Sequence, residues 1–595
     1  MNRRKPLARK VNVEQNADAA QAPAEELERI RQRLAELERG QKLGLVWRDI
    51  PEDVETKLRD EVPVLVHEKE LDVSGAVPSD RAHILIEGDN LHALHVLQAT
   101  HRGKVDVIYI DPPYNTKNRE FIYNDTRIDE ENKWRHSTWL SFMEKRLVLA
   151  RELLADGGVI FISIDDNEQA RLRLLGDSIF GERSFTGTFV WEKKRKASNL
   201  DGSIRGITEY VHCYSKGAPR PIVHPSDEVE DAKPYPFYNS GNGRAELTFP
   251  ANMSFVSLED GTYGPAEFPD RKTIVQLLDK VVIRGGKNVG SFRLKGEWRY
   301  SQTTLDSLIA NGEEIQFKGH KFKPYWINRD EGRVKKMRTL LTSDTYAIGT
   351  NEDATDELEM LLGRTPFKYP KPVSLIEALV IAGSHGRKDA VVLDFFAGSG
   401  TTLHAVVQAN RTDGGSRSCI LITNNEEEVD ICRDVTLPRC RAVLTGKWAA
   451  GKREPLPGSL VFYRTDFAKR SKSPDRMRTE IAKHTVDLVA VMEGTTRTLA
   501  RNAAIALLKG SGTTVAVVPG LDPDHAELHK TAEKKVEDGD KKIVYLFTWS
   551  DQGVEEEVAA LWPGWVVNPL PAEMLAALRR LAPPARLFDD LGGVS

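Results

Sequence analysis

The sequence is poor in the features that mark secreted, membrane-spanning and zinc-binding proteins. It has four cysteines in 595 residues and no Cys-x-x-Cys pair, which favours reduced thiols over disulfides or zinc ligands. It has no run of about 18 apolar residues, so no membrane span is expected. No apolar signal core follows the basic start. These absences predict an intracellular, cytoplasmic protein without a metal site.

An excess of charge of one sign is also missing. The 84 Lys and Arg residues nearly balance the 88 Asp and Glu residues, and the net charge is -4. A basic cleft can exist on such a protein, so the balance neither indicates nor excludes DNA binding. The length is too great for one hydrophobic core and predicts about two to four domains.

The chain is organised around the stretch Val105 to Thr116. Its first six residues are mostly apolar and β-branched, which predicts a short buried strand. Two prolines end this strand, so Asp111 lies at its carboxyl end, where open α/β sheets bind ligands. The Asp111 carboxylate and the Pro112 carbonyl could hold a planar amine while Tyr114 stacks on its ring. A plain strand end can carry Asp and Pro, but Asp-Pro-Pro-Tyr in one run favours a catalytic turn.

A second strand-and-turn pattern follows much later, from Ala390 to Thr402. The glycines of Asp394-Phe-Phe-Ala-Gly-Ser-Gly would let a ligand approach the backbone, and the helix that follows would offer free N–H groups. No Lys-Ser/Thr pair follows the turn, so it is not a nucleoside-triphosphate loop. The third glycine of a dinucleotide fingerprint is missing too. A plain strand-to-helix turn is the alternative, but the full run favours a cofactor site.

Two further strands are predicted to end in polar residues at the same edge of a sheet. Asp89 follows the strand that starts at His83, and this strand could form a βαβ unit with the strand before Asp111. Asp89 could contact a cofactor or simply cap the next helix. Asn425 and Glu426 follow strand Ser418 to Thr423, where a ribose would place its hydroxyls. Glu426 could equally lie in the first turn of a helix.

The alternating α/β pattern breaks near Lys216 and returns at Thr365. Between them, basic and aromatic residues are interleaved without that rhythm, which suits an insert that reads DNA. An ordinary structural insertion is the alternative. A run of four cations, Lys193 to Lys196, suits a phosphate backbone or a solvated surface. The predicted segments are 1–42, a disordered tail with an amphipathic helix; 43–216, a catalytic half; 217–365, the insert; 366–455, a cofactor half; and 456–595, a small α/β domain.

Together these motifs resemble the β-group of adenine-specific DNA methyltransferases, and specifically the modification subunit of Type III restriction–modification systems. The resemblance runs from about Lys42 to Phe467 and follows the family order of catalytic motif, target-recognition insert and glycine motif. Beyond about residue 470 it is loose. It rests on residues 86–90, Asp111 to Thr116, 136–140, 161–168, Phe367 to Pro372, Asp394 to Thr402 and 463–467.

The resemblance implies an α/β fold, a Rossmann-like seven-stranded methyltransferase sheet with an inserted target-recognition domain and a small C-terminal domain. It implies methyl transfer from S-adenosylmethionine to N6 of an adenine that has been flipped out of the duplex. The implied catalytic residues are Asp111, Pro112, Pro113 and Tyr114. The implied cofactor-binding residues are Asp89, Asp394, Phe396, Gly398, Gly400, Thr401, Asn425 and Glu426.

The resemblance also implies partners. These are double-stranded DNA, a second copy of the chain in a homodimer, and a helicase–nuclease restriction subunit, with no membrane and with a place at the bacterial nucleoid. The C-terminal segment would serve subunit contacts. A cytosine-N4 methyltransferase remains an alternative, although Asp111 favours adenine. A DNA-binding specificity subunit with little turnover is a second alternative, which the intact motifs disfavour.

Overall fold

The computed structural model describes most of the chain. The described residues are 47, 52, 57–58, 61–77, 81–116, 135–196, 204, 206–218, 220–224, 233–270, 273–328, 336–425, 430–469, 474–495, 497–510, 512–519, 523–547 and 556–570. They form two compact units, 1–222 with 338–595, and 223–337. The predicted tail, the predicted amphipathic helix and Glu426 lie outside the described residues.

The strands are numbered here in chain order. Before residue 223 they are β1 Glu61–His67, β2 His83–Glu87, β3 Val105–Ile110, β4 Leu154–Ile164, β5 Phe185–Glu192 and β6 Thr208–Ser215. The unit 223–337 contains β7 Lys233–Pro236, β8 Arg244–Phe249, β9 Ser254–Val256, β10 Gly261–Tyr263, β11 Ala266–Asp270, β12 Thr273–Leu277, β13 Val281–Arg284, β14 Lys287–Asn288, β15 Phe292–Glu297, β16 Glu314–Lys318 and β17 Lys323–Asn328. The later strands are β18 Leu340–Leu341, β19 Val391–Asp394, β20 Ser418–Thr423, β21 Lys447–Trp448, β22 Gly451–Lys452, β23 Leu460–Lys469, β24 Arg497–Arg501, β25 Ala506–Gly510, β26 Thr513–Val518, β27 Lys541–Leu546 and β28 Val566–Pro569.

The α-helices are numbered in the same way. They are α1 Asn90–His101, α2 Arg135–Leu153, α3 Gln169–Phe180, α4 Gln302–Ala310, α5 Ser343–Tyr346, α6 Asn351–Leu362, α7 Val373–Gly383, α8 Thr401–Asp413, α9 Leu437–Thr445, α10 Pro474–Glu493, α11 His525–Glu533 and α12 Glu556–Ala559. A π-helical segment, Ile431–Thr436, leads into α9, and short 3₁₀ turns lie at Lys69–Leu71 and Glu182–Ser184. No helix in the described ranges combines the length and apolar character that a membrane crossing requires.

The main sheet confirms the predicted α/β fold. Among the described residues it has ten strands in the order β1-β23-β2-β20-β19-β3-β4-β6-β5-β18. The central seven, from β2 to β5, form the predicted seven-stranded sheet, with β2, β20, β19, β3 and β4 parallel. The sheet is larger than predicted because β23 and β1 extend one edge and β18 extends the other.

The two parts of the alternating α/β pattern, which the insert separates in the sequence, form one sheet. Strand β19 pairs in parallel with β3, in the register Val392 to Val107, and both strands are buried. The predicted βαβ neighbours β2 and β3 are not adjacent, because β20 and β19 lie between them. The carboxyl ends of β2, β20, β19 and β3 therefore share one edge, which is where open α/β sheets bind ligands.

The unit 223–337 is built from two antiparallel-rich sheets, β10-β13-β14-β9-β16-β17-β7 and β11-β12-β15-β8. Its core is aromatic, with Phe249, Phe255, Phe292 and Phe317 packed against one another. Much of the aromatic content of the predicted insert is therefore core material, because alternate side chains of each strand must be buried. The unit covers fewer residues than the predicted segment 217–365, because β18 already belongs to the main sheet, where it pairs with β5.

The C-terminal region contains the small α/β unit that the sequence predicts. Five described strands form the sheet β24-β25-β26-β27-β28, in which β26, β27 and β28 are parallel. Strands β26 and β27, which pair in parallel, span residues 513–518 and 541–546. Strand β23, inside the predicted segment 456–595, belongs to the main sheet instead.

Candidate active site

The turn after β3 is held rigidly by its neighbours. The indole Nε1 of Trp139 on α2 donates to the Pro113 carbonyl at 2.7 Å. Asn115 adopts a left-handed backbone with φ of 55°, and its side-chain amide donates to Glu168 at 2.5 Å. Glu168 is fully buried and also pairs with the His136 ring. The turn is thus fixed to the starts of α2 and α3 before any ligand binds.

Asp111 stands at the carboxyl end of β3, with 26% of its side chain exposed. The Tyr114 hydroxyl donates to its Oδ1 at 2.8 Å. The Lys371 ammonium donates to its Oδ2 at 2.7 Å, from a position 260 residues away in the sequence. The Asp111 carboxylate is therefore oriented by one neutral donor and one charged donor.

Glu209, on β6, completes this cluster. Its Oε2 accepts from the Tyr114 hydroxyl at 3.1 Å and lies 3.7 Å from the Lys371 ammonium. Its Oε1 accepts from Lys193 at 3.2 Å. The negative charges of Asp111 and Glu209 are thus balanced by the positive charges of Lys371 and Lys193. Charges that are removed from water need such partners.

The surroundings shift the ionisation of the groups that face Asp111. Burial by itself would lower the pKa of Lys371, but Asp111 and Glu209 outweigh this effect and raise the pKa. Burial, and then the charges of the same two acids, raise the pKa of Tyr114 well above its ordinary value. Lys371 is therefore charged and Tyr114 neutral over the whole physiological range.

Lys371 and Glu209 were missed as site residues. Lys371 lies in the motif Phe367 to Pro372, which contributed to the resemblance without a role of its own. Glu209 carried no motif; an acid in the predicted strand that becomes β6 was the available signal. Lys193 and Arg195 belong to the run of cations predicted to suit a phosphate backbone or a solvated surface. Lys193 pairs with Glu209 at 3.2 Å, and Arg195 pairs with Asp353 at 2.8 Å.

The glycine turn between β19 and α8 is closed by Asp394. Its Oδ2 accepts from the Thr402 hydroxyl at 2.5 Å, and its Oδ1 accepts from the Phe396 backbone N–H at 3.0 Å. Burial raises the pKa of Asp394 to about 7, and these two hydrogen bonds oppose the shift only in part. Asp394 therefore stabilises the turn through hydrogen bonds made by a buried side chain.

The glycines of the turn are required by its shape. Gly398 and Gly400 have φ of 47° and 78°, in the left-handed region that favours glycine. A Cβ on Gly398 would lie 2.8 Å from the Phe367 ring, and one on Gly400 would lie 3.1 Å from Thr436. Phe396 lies in the chain between strand β19 and Gly398. It is half-buried, and its ring packs near the rings of Phe142 and Phe395.

Thr401 faces inward, and its hydroxyl accepts from the guanidinium of the buried Arg439 at 2.8 Å. The same guanidinium donates to Ser399 at 3.2 Å and to Glu357 at 3.2 Å. This cluster ties the glycine turn to α9 and α6. Of the predicted cofactor residues, Asp394 and Thr401 thus have buried side chains that stabilise the turn through hydrogen bonds within the protein.

Asp89 caps α1, as one of its two predicted roles requires. Its Oδ1 accepts from the backbone N–H groups of Leu91 and His92 at 2.8 and 3.3 Å, and its side chain is 11% exposed. The side chain of Asn425 lies at the end of β20 and donates to Glu87, the last residue of β2, at 2.8 Å. Both residues are at the predicted edge.

The structure brings the catalytic and glycine turns together. The side chain of Asn90, beside Asp89, donates to the Phe395 carbonyl at 3.0 Å. The segment 367–371 spans both turns, because the Phe367 ring packs over Gly398 while Lys371 binds Asp111. An acid that can hold an amine, an aromatic ring and a glycine turn thus share one edge.

The fold and the candidate site define a Rossmann-like α/β protein whose polar residues and glycine turn gather at the carboxyl edge of a parallel sheet, where open α/β sheets bind ligands. Residues 105–434, more than half of the chain, match the family model for DNA methylase. The chain belongs to this DNA methylase family. The family resemblance drawn from the motifs is confirmed.

Several methyltransferase subunits are similar in sequence. The Mod subunit of the Type III restriction-modification enzyme StyLTI from Salmonella typhimurium is 32% identical, over 57% of this chain and 52% of its own length. The EcoPI Mod subunit from Escherichia phage P1 is 33% identical, over 58% of each. The Type II methyltransferase M.KpnI from Klebsiella pneumoniae is 32% identical, over 57% of this chain and 79% of its own length. The chain thus matches little more than half the length of the two Mod subunits.

Two solved structures match part of the chain, each with a TM-score near 0.3. PvuII DNA methyltransferase, which is cytosine-N4-specific, has a TM-score of 0.31 at 11% identity, with coverage of 61% of this chain and 90% of that chain. M1.HpyAVI in complex with SAM has a TM-score of 0.29 at 13% identity, with coverage of 60% and 98%.

Proposed function

We propose that this protein is a site-specific DNA methyltransferase that transfers a methyl group from S-adenosylmethionine to adenine N6 in a short DNA sequence. The observation that carries the proposal is the placement of Asp111 and Tyr114 at the same sheet edge as the glycine turn of Gly398. Similarity to Type III Mod subunits supports a role as the modification subunit of such a system, or of a related phage-defence system.

The catalytic residues have concrete roles in this proposal. The target adenine must leave the duplex, since its amine cannot be reached in the stack. Tyr114 stacks on the flipped ring. The Asp111 carboxylate and the Pro112 carbonyl accept hydrogen bonds from the amine and direct its lone pair at the methyl group, while Pro113 keeps the turn rigid. Catalysis then comes from positioning and electrostatics.

The edge fits S-adenosylmethionine, which supplies an electrophilic methyl group on a sulfonium. The left-handed turn of Gly398 and Gly400 leads directly into the helix at this edge, and a Cβ on either glycine would meet Phe367 or Thr436. The residues proposed to hold the cofactor are Asp89, Phe396, Gly398, Gly400, and Asn425 or Glu426, with Asp394 and Thr401 supporting the turn. The helix that begins at Thr401 offers free backbone N–H groups at its first turn.

Double-stranded DNA is the proposed substrate, and the segment 217–365 is the proposed recognition element. Exposed cations on the unit 223–337, among them Lys280, Arg284 and Lys287, suit phosphate contacts. We also propose a homodimer held partly by residues 456–595, a helicase–nuclease partner, and a place in the bacterial cytoplasm at the nucleoid.

Single-molecule sequencing of DNA from cells that express the chain tests this proposal. N6-methyladenine is expected in one short motif with the wild type and is expected to be absent with Asp111→Ala. Asp166→Ala, which removes an exposed acid at the end of the neighbouring strand β4, is the matched control and should methylate. N4-methylcytosine instead would favour the alternative chemistry, and no modified base with the wild type would contradict the proposal.

A further inference from the structure

Both oxygens of the Asp111 carboxylate are already hydrogen-bonded in the protein alone. The Tyr114 hydroxyl donates to Oδ1 at 2.8 Å, and the Lys371 ammonium donates to Oδ2 at 2.7 Å. A target amine that approaches this carboxylate meets oxygens that each already accept one hydrogen bond, so it must either share an oxygen with one of these donors or displace that donor. The question is therefore which of the two donors gives way.

Lys371 is the donor that stays. Its side chain is 7% exposed and lies between Asp111, at 2.7 Å, and Glu209, at 3.7 Å. Both acids favour its charged form. Moving the ammonium away from Asp111 would leave a carboxylate that is only 26% exposed without its cation, which is costly.

Tyr114 is the donor that can turn away. Its hydroxyl has one hydrogen but lies within reach of two acceptors, Asp111 Oδ1 at 2.8 Å and Glu209 Oε2 at 3.1 Å. Rotation about the C–O bond redirects the hydrogen to Glu209 while the ring stays in place. Lys193, at 3.2 Å from the other oxygen of Glu209, holds this second acceptor in position.

We propose that Glu209 and Lys371 are positioning residues that present Oδ1 of Asp111 to the target amine. Lys371 holds Oδ2, and Glu209 accepts the Tyr114 hydroxyl hydrogen when the amine arrives at Oδ1. The inference deepens the proposed function and rests on it, because it specifies which oxygen of the catalytic acid receives the substrate and what keeps that oxygen available.

The test is a double-mutant cycle in which kcat/KM is measured with an unmethylated duplex. This duplex carries the sequence motif that the wild type methylates. Glu209→Ala should lower kcat/KM about ten- to a hundredfold, because the Tyr114 hydroxyl then occupies Oδ1 permanently. Glu209→Gln keeps an acceptor and should lose less. Tyr114→Phe keeps the stacking ring but has no hydroxyl to relocate, so Glu209→Ala added to Tyr114→Phe should cost no more than about threefold relative to Tyr114→Phe itself.

Lys371 is tested by removal and by rescue. Lys371→Met should lower kcat/KM about ten- to a hundredfold, and Lys371→Arg should recover most of the loss, since a charged donor is restored. A Lys371→Arg variant as inactive as Lys371→Met would contradict the positioning role.

A remote tyrosine–acid pair provides the matched control. The Tyr214 hydroxyl donates to the buried Asp177 at 3.0 Å, so Tyr214→Phe and Asp177→Asn should change the melting temperature and leave kcat/KM nearly unchanged.

Equal losses from Glu209→Ala with and without the Tyr114 hydroxyl would overturn the inference, as would a fully active Glu209→Ala. If Glu209→Ala does not fold, Glu209→Leu, which keeps most of the side-chain volume but has no acceptor, decides by the same criterion. Failure of the wild type to methylate any DNA would instead remove the proposed function itself.

Discussion

At the residue scale, Asp394 couples the stability of the protein to pH. Burial raises its pKa to about 7, above the ordinary value of 3.8. The folded state therefore binds a proton more tightly than the unfolded state. Its contribution to stability is complete below about pH 4 and is lost as pH rises through about 7.

We expect Asp394→Asn to remove this part of the pH dependence. The free energy of unfolding of the wild type should fall by a few kcal/mol more than that of the variant between about pH 4 and pH 8. Urea unfolding at several pH values measures the two slopes. Asp413→Asn, which changes a partly exposed acid with a lowered pKa, is the control and should keep the Asp394 contribution. Parallel curves for the wild type and Asp394→Asn would contradict this assignment.

Gly398 is the residue at which the turn tolerates a side chain least. Gly398→Ala should weaken S-adenosylmethionine binding at least about tenfold, because a Cβ at φ 47° meets the Phe367 ring at 2.8 Å and shifts the turn. Isothermal titration calorimetry of the cofactor measures this loss.

Gly414 gives the matched control for that prediction. It has a similar left-handed φ of 68° at the end of α8, but a Cβ there meets no atom within 4 Å. Gly414→Ala should therefore lower stability by about 1 kcal/mol and leave cofactor affinity unchanged. Unchanged affinity in Gly398→Ala would show that the turn adapts.

At the element scale, Arg439 joins three helices beneath the glycine turn. Its guanidinium, fully buried, contacts Thr401 at the start of α8 and Glu357 on α6 from its own place on α9. Arg439→Met should destabilise the protein by about 3 kcal/mol, because it leaves Glu357 and two hydroxyls without their donor.

Chemical denaturation tests this role of Arg439. The double variant Arg439→Met with Glu357→Gln should recover part of the loss, since the uncompensated acid is gone. Arg411→Met is the control, because Arg411 contacts Glu454 at 3.5 Å on the surface and should change stability by less than about 1 kcal/mol. Equal effects at positions 439 and 411 would refute the coupling.

At the scale of the whole molecule, the unit 223–337 has the properties of an independent domain. Its two sheets enclose their own aromatic core, which includes Phe237, Phe249, Leu294 and Phe317. A core of this kind is what a domain of about 100 residues needs to fold alone. We expect a fragment of residues 223–337 to unfold cooperatively on heating, as followed by circular dichroism. A fragment carrying Phe249→Ala should lose cooperativity or melt much lower, and a broad transition in the unchanged fragment would contradict independence.

The sequence by itself determined the strands and turns that carry the chemistry. Strand β3 ends where Pro112 and Pro113 remove backbone donors, and the turn after β19 bends where Gly398 and Gly400 permit positive φ. These effects act within a few residues, so they are legible in the chain alone. The α/β fold and the family followed from the same local motifs.

Only the tertiary structure decided which side chains meet at Asp111, the proposed catalytic acid. Lys371 and Glu209 lie 260 and 98 residues from Asp111 and reach it because β19 pairs with β3 and β6 pairs with β4. The aromatic residues of 223–337 were likewise assigned to the core by strand pairing that no local pattern specified. Contacts of this kind depend on sheet order, and sheet order arises from the packing of all strands together.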